Sequence, residues 1–158
     1  MNQFSIRKAT AEDVSIIKSC IEGLAEYEKL SHEVTVTEAQ LHESLFVRSE
    51  ANCLLAFEED KPVGFAIYFY NYSTFLGKRG LYLEDLFVYP DFRGLGYGKR
   101  LLLALVQIAH EEGCGRMEWS VLDWNTPAIE FYKSLGAEAM DGWTSFRLNR
   151  EGIERLAK

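Results

Sequence analysis

Leu81 to Arg100 runs as an apolar, strand-like segment into Gly94, Gly96 and Gly98 and then into a leucine-rich helix. A strand that turns through alternating glycines into a helix has few ways to fold. Glycine at every second position removes the Cβ atoms that hold a ligand off the backbone, so successive N–H groups can converge on one anion. The helix opening near Gly98 adds the positive end of its dipole, with Arg93, Lys99 and Arg100 beside it. The segment therefore reads as a phosphate cradle, against the alternative of a tight turn beneath a core helix.

The rest of the chain supplies a layered setting. Phe4 to Lys8 alternates as a first strand. Thr10 is a candidate N-cap for a helix whose apolar residues Val14, Ile17, Ile21, Leu24 and Ala25 repeat at helical spacing to about Lys29. Thr37-Glu38-Ala39-Gln40 has capping-box spacing before a second helix. Asn52 to Glu58 and Pro62 to Tyr72 form an expected antiparallel hairpin around Glu59-Asp60-Lys61, and Tyr82 to Val88 is the next strand. The helix from Gly98 to Glu112 ends at Gly113, and Met117 to Leu122 follows as a strand parallel to the one before it. Asn125-Thr126-Pro127 opens another helix that Gly136 stops, Trp143 to Asn149 is expected as a closing strand, and Ile153 to Ala157 as a short terminal helix.

The expected class is mixed α/β (α+β), with no repeat, linker or low-complexity tract, and residues 1–158 as one domain. A 47% hydrophobic and 13% aromatic composition supports a continuous core in a chain of 158 residues. No charged leader with an apolar run stands at the N-terminus, and the longest apolar stretch, near Leu101 to Ala109, is too short to span a bilayer. The expectation is a soluble, cytoplasmic protein without a membrane partner. A formal charge of −7 disfavours nucleic acid and favours a small cationic ligand. Cys20, Cys53 and Cys114 leave an odd thiol under any pairing and show no metal-ligand spacing with His32, His42 or His110, so they read as reduced and structural, with no metal expected.

Three phosphate-binding loops are distinguishable by spacing. A P-loop requires glycine where this chain has Arg93, and Ser or Thr where it has Arg100. A dinucleotide site requires its third glycine one residue later than Gly98, on the first strand-to-helix turn of the fold. What remains, Arg93-Gly94-Leu95-Gly96-Tyr97-Gly98, resembles motif A of the GNAT superfamily of N-acetyltransferases, and Asn125 with Phe131-Tyr132-Lys133-Ser134-Leu135-Gly136-Ala137 resembles that family's second cofactor segment. The resemblance covers the whole chain. It implies a twisted, mostly antiparallel sheet around a parallel β-loop-α-β core that binds acetyl-CoA. Its cofactor contacts fall here on Leu86, Phe87 and Val88, on Arg93 to Lys99, and on Asn125, Thr126, Pro127, Ala128 and Tyr132.

Phe4-Ser5-Ile6-Arg7, Leu24-Ala25-Glu26-Tyr27-Glu28, Leu81-Tyr82-Leu83-Glu84-Asp85 and Asp123-Trp124-Asn125 resemble the diamine (spermidine/spermine) acetyltransferases and their thialysine Nε-acetyltransferase relatives. That branch implies a homodimer acting on a primary amine. It places substrate contacts at Tyr27, Glu28 and Glu84, with more at Glu118, Trp119 and Ser120. Where polyamine enzymes carry an Asp before the Tyr82-Leu83-Glu84 strand, this chain has Ser73. A neutral residue there removes an anchor for a second ammonium, which favours thialysine or a lysine-like amino acid over spermidine.

An alkylamine is mostly protonated at neutral pH, and stripping its proton costs about 4.6 kcal/mol. Glu84, a carboxylate in an apolar strand, is the candidate acceptor. Its neighbour Asp85 points to the opposite face if the strand is regular. The resemblance gives Tyr132 the role of proton donor to the leaving thiolate, with a backbone N–H near Phe87 or Val88 holding the carbonyl oxygen. No Cys–His pair stands ready for an acetyl-enzyme, so direct attack in a ternary complex suffices. The competing functions are acetylation of a protein N-terminus, a peptide lysine or an aminoglycoside, and a CoA-binding sensor without turnover.

Overall fold

The computed structural model describes residues 2–158, which separate into two compact units, 2–120 and 121–158. The first holds a five-stranded sheet in the order β1 (Phe4–Lys8), β2 (Asn52–Glu58), β3 (Lys61–Ser73), β4 (Lys78–Val88), β5 (Arg116–Trp119). Neighbours are antiparallel except β4 and β5, which run parallel because helix α3 (Tyr97–Glu111) carries the chain back between them. The expected antiparallel hairpin and parallel crossover are both present. β4 begins earlier than Tyr82, forming a second hairpin with β3, and β5 is shorter than the run to Leu122.

Helix α1 (Val14–Tyr27) and the short α2 (Glu38–Leu41) cover one face of the sheet. Val14, Ile17, Cys20 and Leu41 close there on Leu55, Phe65, Ile67 and Phe87. The start of α1 is fixed by Asp13, whose carboxylate accepts from the Thr10 N–H at 2.7 Å and pairs with Arg7 at 2.7 Å. The adjacent Arg7 guanidinium holds the Asp13 carboxyl down at about 2. Thr37 and Gln40 complete the expected capping box, at 2.9 and 3.1 Å, and after Leu41 the helix loosens into π-helical turns over His42–Val47. α3 covers the other face with Leu101, Leu102, Leu105 and Ala109, all buried. No helix among the described residues is long and apolar enough to cross a membrane.

The second unit contains α4 (Thr126–Ser134) and α5 (Arg150–Leu156). Pro127 lies in the first turn of α4, Gly136 follows it at φ +92°, and the Asn149 side chain caps α5 by accepting from the Gly152 N–H at 2.9 Å. The strand expected over Trp143 to Asn149 is absent. These residues form no ladder, and this unit holds no other strand for them to pair with, without which an extended segment has no backbone partners.

Candidate active site

β4 pairs with β5 only from Gly80 to Leu83, opposite Arg116 to Trp119. Past Leu83 it continues for five more residues, Glu84 to Val88, with β3 on one side and no ladder to β5 on the other. Backbone groups of Glu84 to Val88 that point away from β3 have no strand to satisfy them. The edge ends where the glycine loop begins.

The loop is shaped by two left-handed residues, Gly94 at φ +79° and Gly96 at φ +81°. Only glycine adopts such angles without strain. A Cβ built at either position meets no atom within 4 Å, so both face open space. Gly98 lies inside α3, where an added Cβ would make ordinary contact with Val88 at 3.8 Å, so the backbone demands glycine at two of the three positions. Gly96 is also the N-cap of α3, and no side chain caps the helix. Exposed donors, the dipole's positive end and the open space between them fit a diphosphate group such as that of CoA.

Side chains lash this loop to its surroundings. Tyr97, the first helical residue, is buried with its ring stacked on Phe4, centroids 4.2 Å apart, and its hydroxyl donates to the Glu58 carboxylate at the end of β2. The Arg100 guanidinium lies 4.4 Å over the other ring of this stack, Phe4. Glu58 carried no signal in the sequence, because its role comes from strand pairing that brings distant residues together. Arg93 turns back toward the strand, its Nε donating to the Val88 carbonyl at 2.9 Å and its guanidinium resting 4.5 Å over the ring of Tyr27.

The carboxylates occupy an irregularity in β4. Ile67 pairs with Asp85 and Tyr68 with Leu83, which leaves Glu84 without a partner, as the extra residue of a bulge. The regular alternation expected to send Asp85 away from Glu84 is therefore broken. Asp85 lies opposite Ile67 on the α1 face, half-buried, while Glu84 is exposed. Burial pushes the Asp85 carboxyl up to about 7, and the charges of Glu84 and Glu28 push it the same way. Burial also raises Glu28, at the C-terminal end of α1 beside Tyr27. The structure thus adds Asp85 to Glu28 and Glu84, a third carboxylate within electrostatic reach of both. The adjacent acidic pair was visible in the sequence; the bulge beneath it was not.

Of the remaining expected residues, Glu118 and Trp119 lie on β5, with Glu118 paired to Arg116 at 3.1 Å, and the Ser120 hydroxyl meets that of Tyr82 at 3.1 Å. Ser73 is buried at the β3–β4 turn, where its hydroxyl accepts from the Leu76 N–H at 3.2 Å. Asn125, Thr126, Pro127, Ala128 and Tyr132 belong to the second unit, where Asn125 is the N-cap of α4 and Tyr132 lies within that helix, its ring 5.6 Å from Phe131.

Comparison with known proteins follows the same lines. A model of the acetyltransferase (GNAT) family matches residues 19–137. Thialysine N-epsilon-acetyltransferase of Mus musculus is 38% identical over 96% of both chains. L-ornithine N5-acetyltransferase of Arabidopsis thaliana is 30% identical over 97% of this chain and 87% of its own. An integron cassette protein from V. cholerae superimposes with a TM-score of 0.80 at 29% identity, covering 98% of each chain.

Proposed function

This chain belongs to the acetyltransferase (GNAT) family, and from that premise we propose that it transfers the acetyl group of acetyl-CoA to a primary amine of a small cationic substrate. The observation that carries this reading is the pair Glu84 and Asp85 on the same strand-loop-helix unit as the glycine cradle, with Glu28 of the α1 end within electrostatic reach of Asp85. Three carboxylates attract an ammonium group, and one whose pKa is raised can accept its proton.

The gain from raising that pKa is large. Moving a proton from an amine of pKa about 10.4 to a carboxyl near 4 costs about 9 kcal/mol. With Asp85 at about 7 the cost falls to about 4.6 kcal/mol. In this reading exposed Glu84 meets the ammonium, directly or through one water, and Asp85 holds the proton released. The freed amine attacks the thioester carbonyl, whose oxygen accepts from an N–H near Phe87 or Val88 on the open edge of β4. The carbon–nitrogen bond forms, the carbon–sulfur bond breaks, Tyr132 is the proposed donor of a proton to the departing thiolate, and the second proton, shed by the acylated nitrogen, restores the phenol. Attack is direct, within a ternary complex.

Gly94 to Lys99 hold the diphosphate, with Leu86 to Val88 along the rest of the cosubstrate. Tyr27, Glu28, Glu118, Trp119 and Ser120 surround the amine. The substrate is an α,ω-diamino acid of the lysine or thialysine type. Two relatives are named for such amino acids, and Ser73 is neutral and committed to its own turn, so it offers no anion to a second ammonium. Residues 1–158 work as one catalytic domain, as a homodimer, in the cytoplasm. The test is free-thiol release from acetyl-CoA across a panel of thialysine, lysine, ornithine, spermidine, an aminoglycoside and a peptide N-terminus. Diamino acids should turn over at least tenfold faster than the rest; thiol release with none of them overturns the reading.

A further inference from the structure

We infer that Arg93 is a positioning residue that couples the amine site to the cosubstrate loop, an inference that rests on the function proposed above. Arg93 is the residue immediately before the left-handed Gly94, so its backbone moves with the cradle. Its Nε donates at 2.9 Å to the carbonyl of Val88, the last residue of β4. Its guanidinium lies 4.5 Å over the ring of Tyr27 and 5.5 Å from the ring centre of Phe87. Phe87 in turn presses on the backbone of α1 at Gly23, where a Cβ would stand 2.7 Å from its ring.

One planar cation thus joins three parts of the site: the loop, the end of the open strand edge, and the helix end that carries Tyr27 and Glu28. A point charge reaching for phosphate has no need of that packing, whereas a planar group that donates from one edge and stacks on a ring does. The consequence is mutual. A diphosphate that settles the torsions of Gly94 and Gly96 fixes Arg93, and a fixed Arg93 holds the Tyr27 ring where the amine is received. Coupling of this kind is reciprocal, so amine must tighten CoA by the same factor that CoA tightens amine.

The test uses CoA without its acetyl group, so that nothing turns over, and thialysine as the amine. Calorimetry of thialysine into wild type, alone and saturated with CoA, should give an affinity about three- to tenfold tighter with CoA bound. Arg93→Lys and Arg93→Gln should both abolish that ratio. Tyr27→Leu, which keeps the cation but removes the ring, should abolish the ratio as well. Retained coupling in Arg93→Lys or in Tyr27→Leu overturns the inference. So does a more than tenfold loss of CoA affinity in Arg93→Gln that Lys restores, the signature of a phosphate contact. Wild type that binds both ligands without coupling sinks this inference alone; wild type that fails to bind CoA sinks the proposed function with it.

Discussion

The glycine cradle and the carboxylate bulge share one strand-loop-helix unit, yet their environments are opposite. At Gly94 and Gly96 the backbone faces open space, no side chain caps the helix, and the local field favours an anion. At Glu84 and Asp85 like charges crowd together, one of them half-buried, and the field favours a cation or a bound proton. The cradle owes its shape to residue type. The bulge owes its shape to register, the slip between Ile67 and Tyr68 that breaks the strand's alternation at two neighbouring acids. The difference teaches that an anion site can be built from local torsions, while an acid–base site takes its pKa from tertiary neighbours.

The comparison breaks most easily at Asp85. Asp85→Asn should lower kcat/KM for the amine by about 100- to 1000-fold while KM for acetyl-CoA stays within about twofold, measured by thiol release. If the cradle instead fails first, acetyl-CoA affinity will follow. Gly96→Ala should raise KM for acetyl-CoA about tenfold through the cost of a left-handed alanine, with little change in the pH profile.

The same carboxylate sharpens the comparison through stability. Because Asp85 is raised to about 7 in the folded state, the fold binds its proton more tightly than the unfolded chain does. Its contribution is therefore present at low pH and is lost as pH rises from about 4 to about 7. Asp85→Asn should match wild type near pH 4 and exceed it above pH 7 by up to about 4 kcal/mol in urea unfolding. The smallest effect belongs to the loop's outer anchor: Glu58→Gln keeps an acceptor for the Tyr97 hydroxyl but removes the charge, and KM for acetyl-CoA should rise about two- to fivefold with kcat unchanged.

Much of this was legible in the residues. The hairpin around Glu59-Asp60-Lys61, the Thr37–Gln40 cap and the strand, glycine loop and helix are written in local patterns that physics reads directly. The bulge was not, because no glycine or proline marks it and only pairing with β3 reveals which residue is surplus. The same blindness hid Glu58, whose meaning depends on a distant tyrosine, and it suggested a strand over Trp143 to Asn149, where alternating residues lack a partner.

The pH dependence of kcat/KM for the amine, measured for wild type beside Asp85→Asn, tests the central claim most directly. Wild type should give a bell whose acidic limb bends at about 7, where Asp85 ionises, and whose alkaline limb bends near the substrate amine at about 10.4. The acidic limb should vanish in Asp85→Asn. An acidic limb that persists unchanged in that variant would contradict the claim that this carboxylate receives the proton.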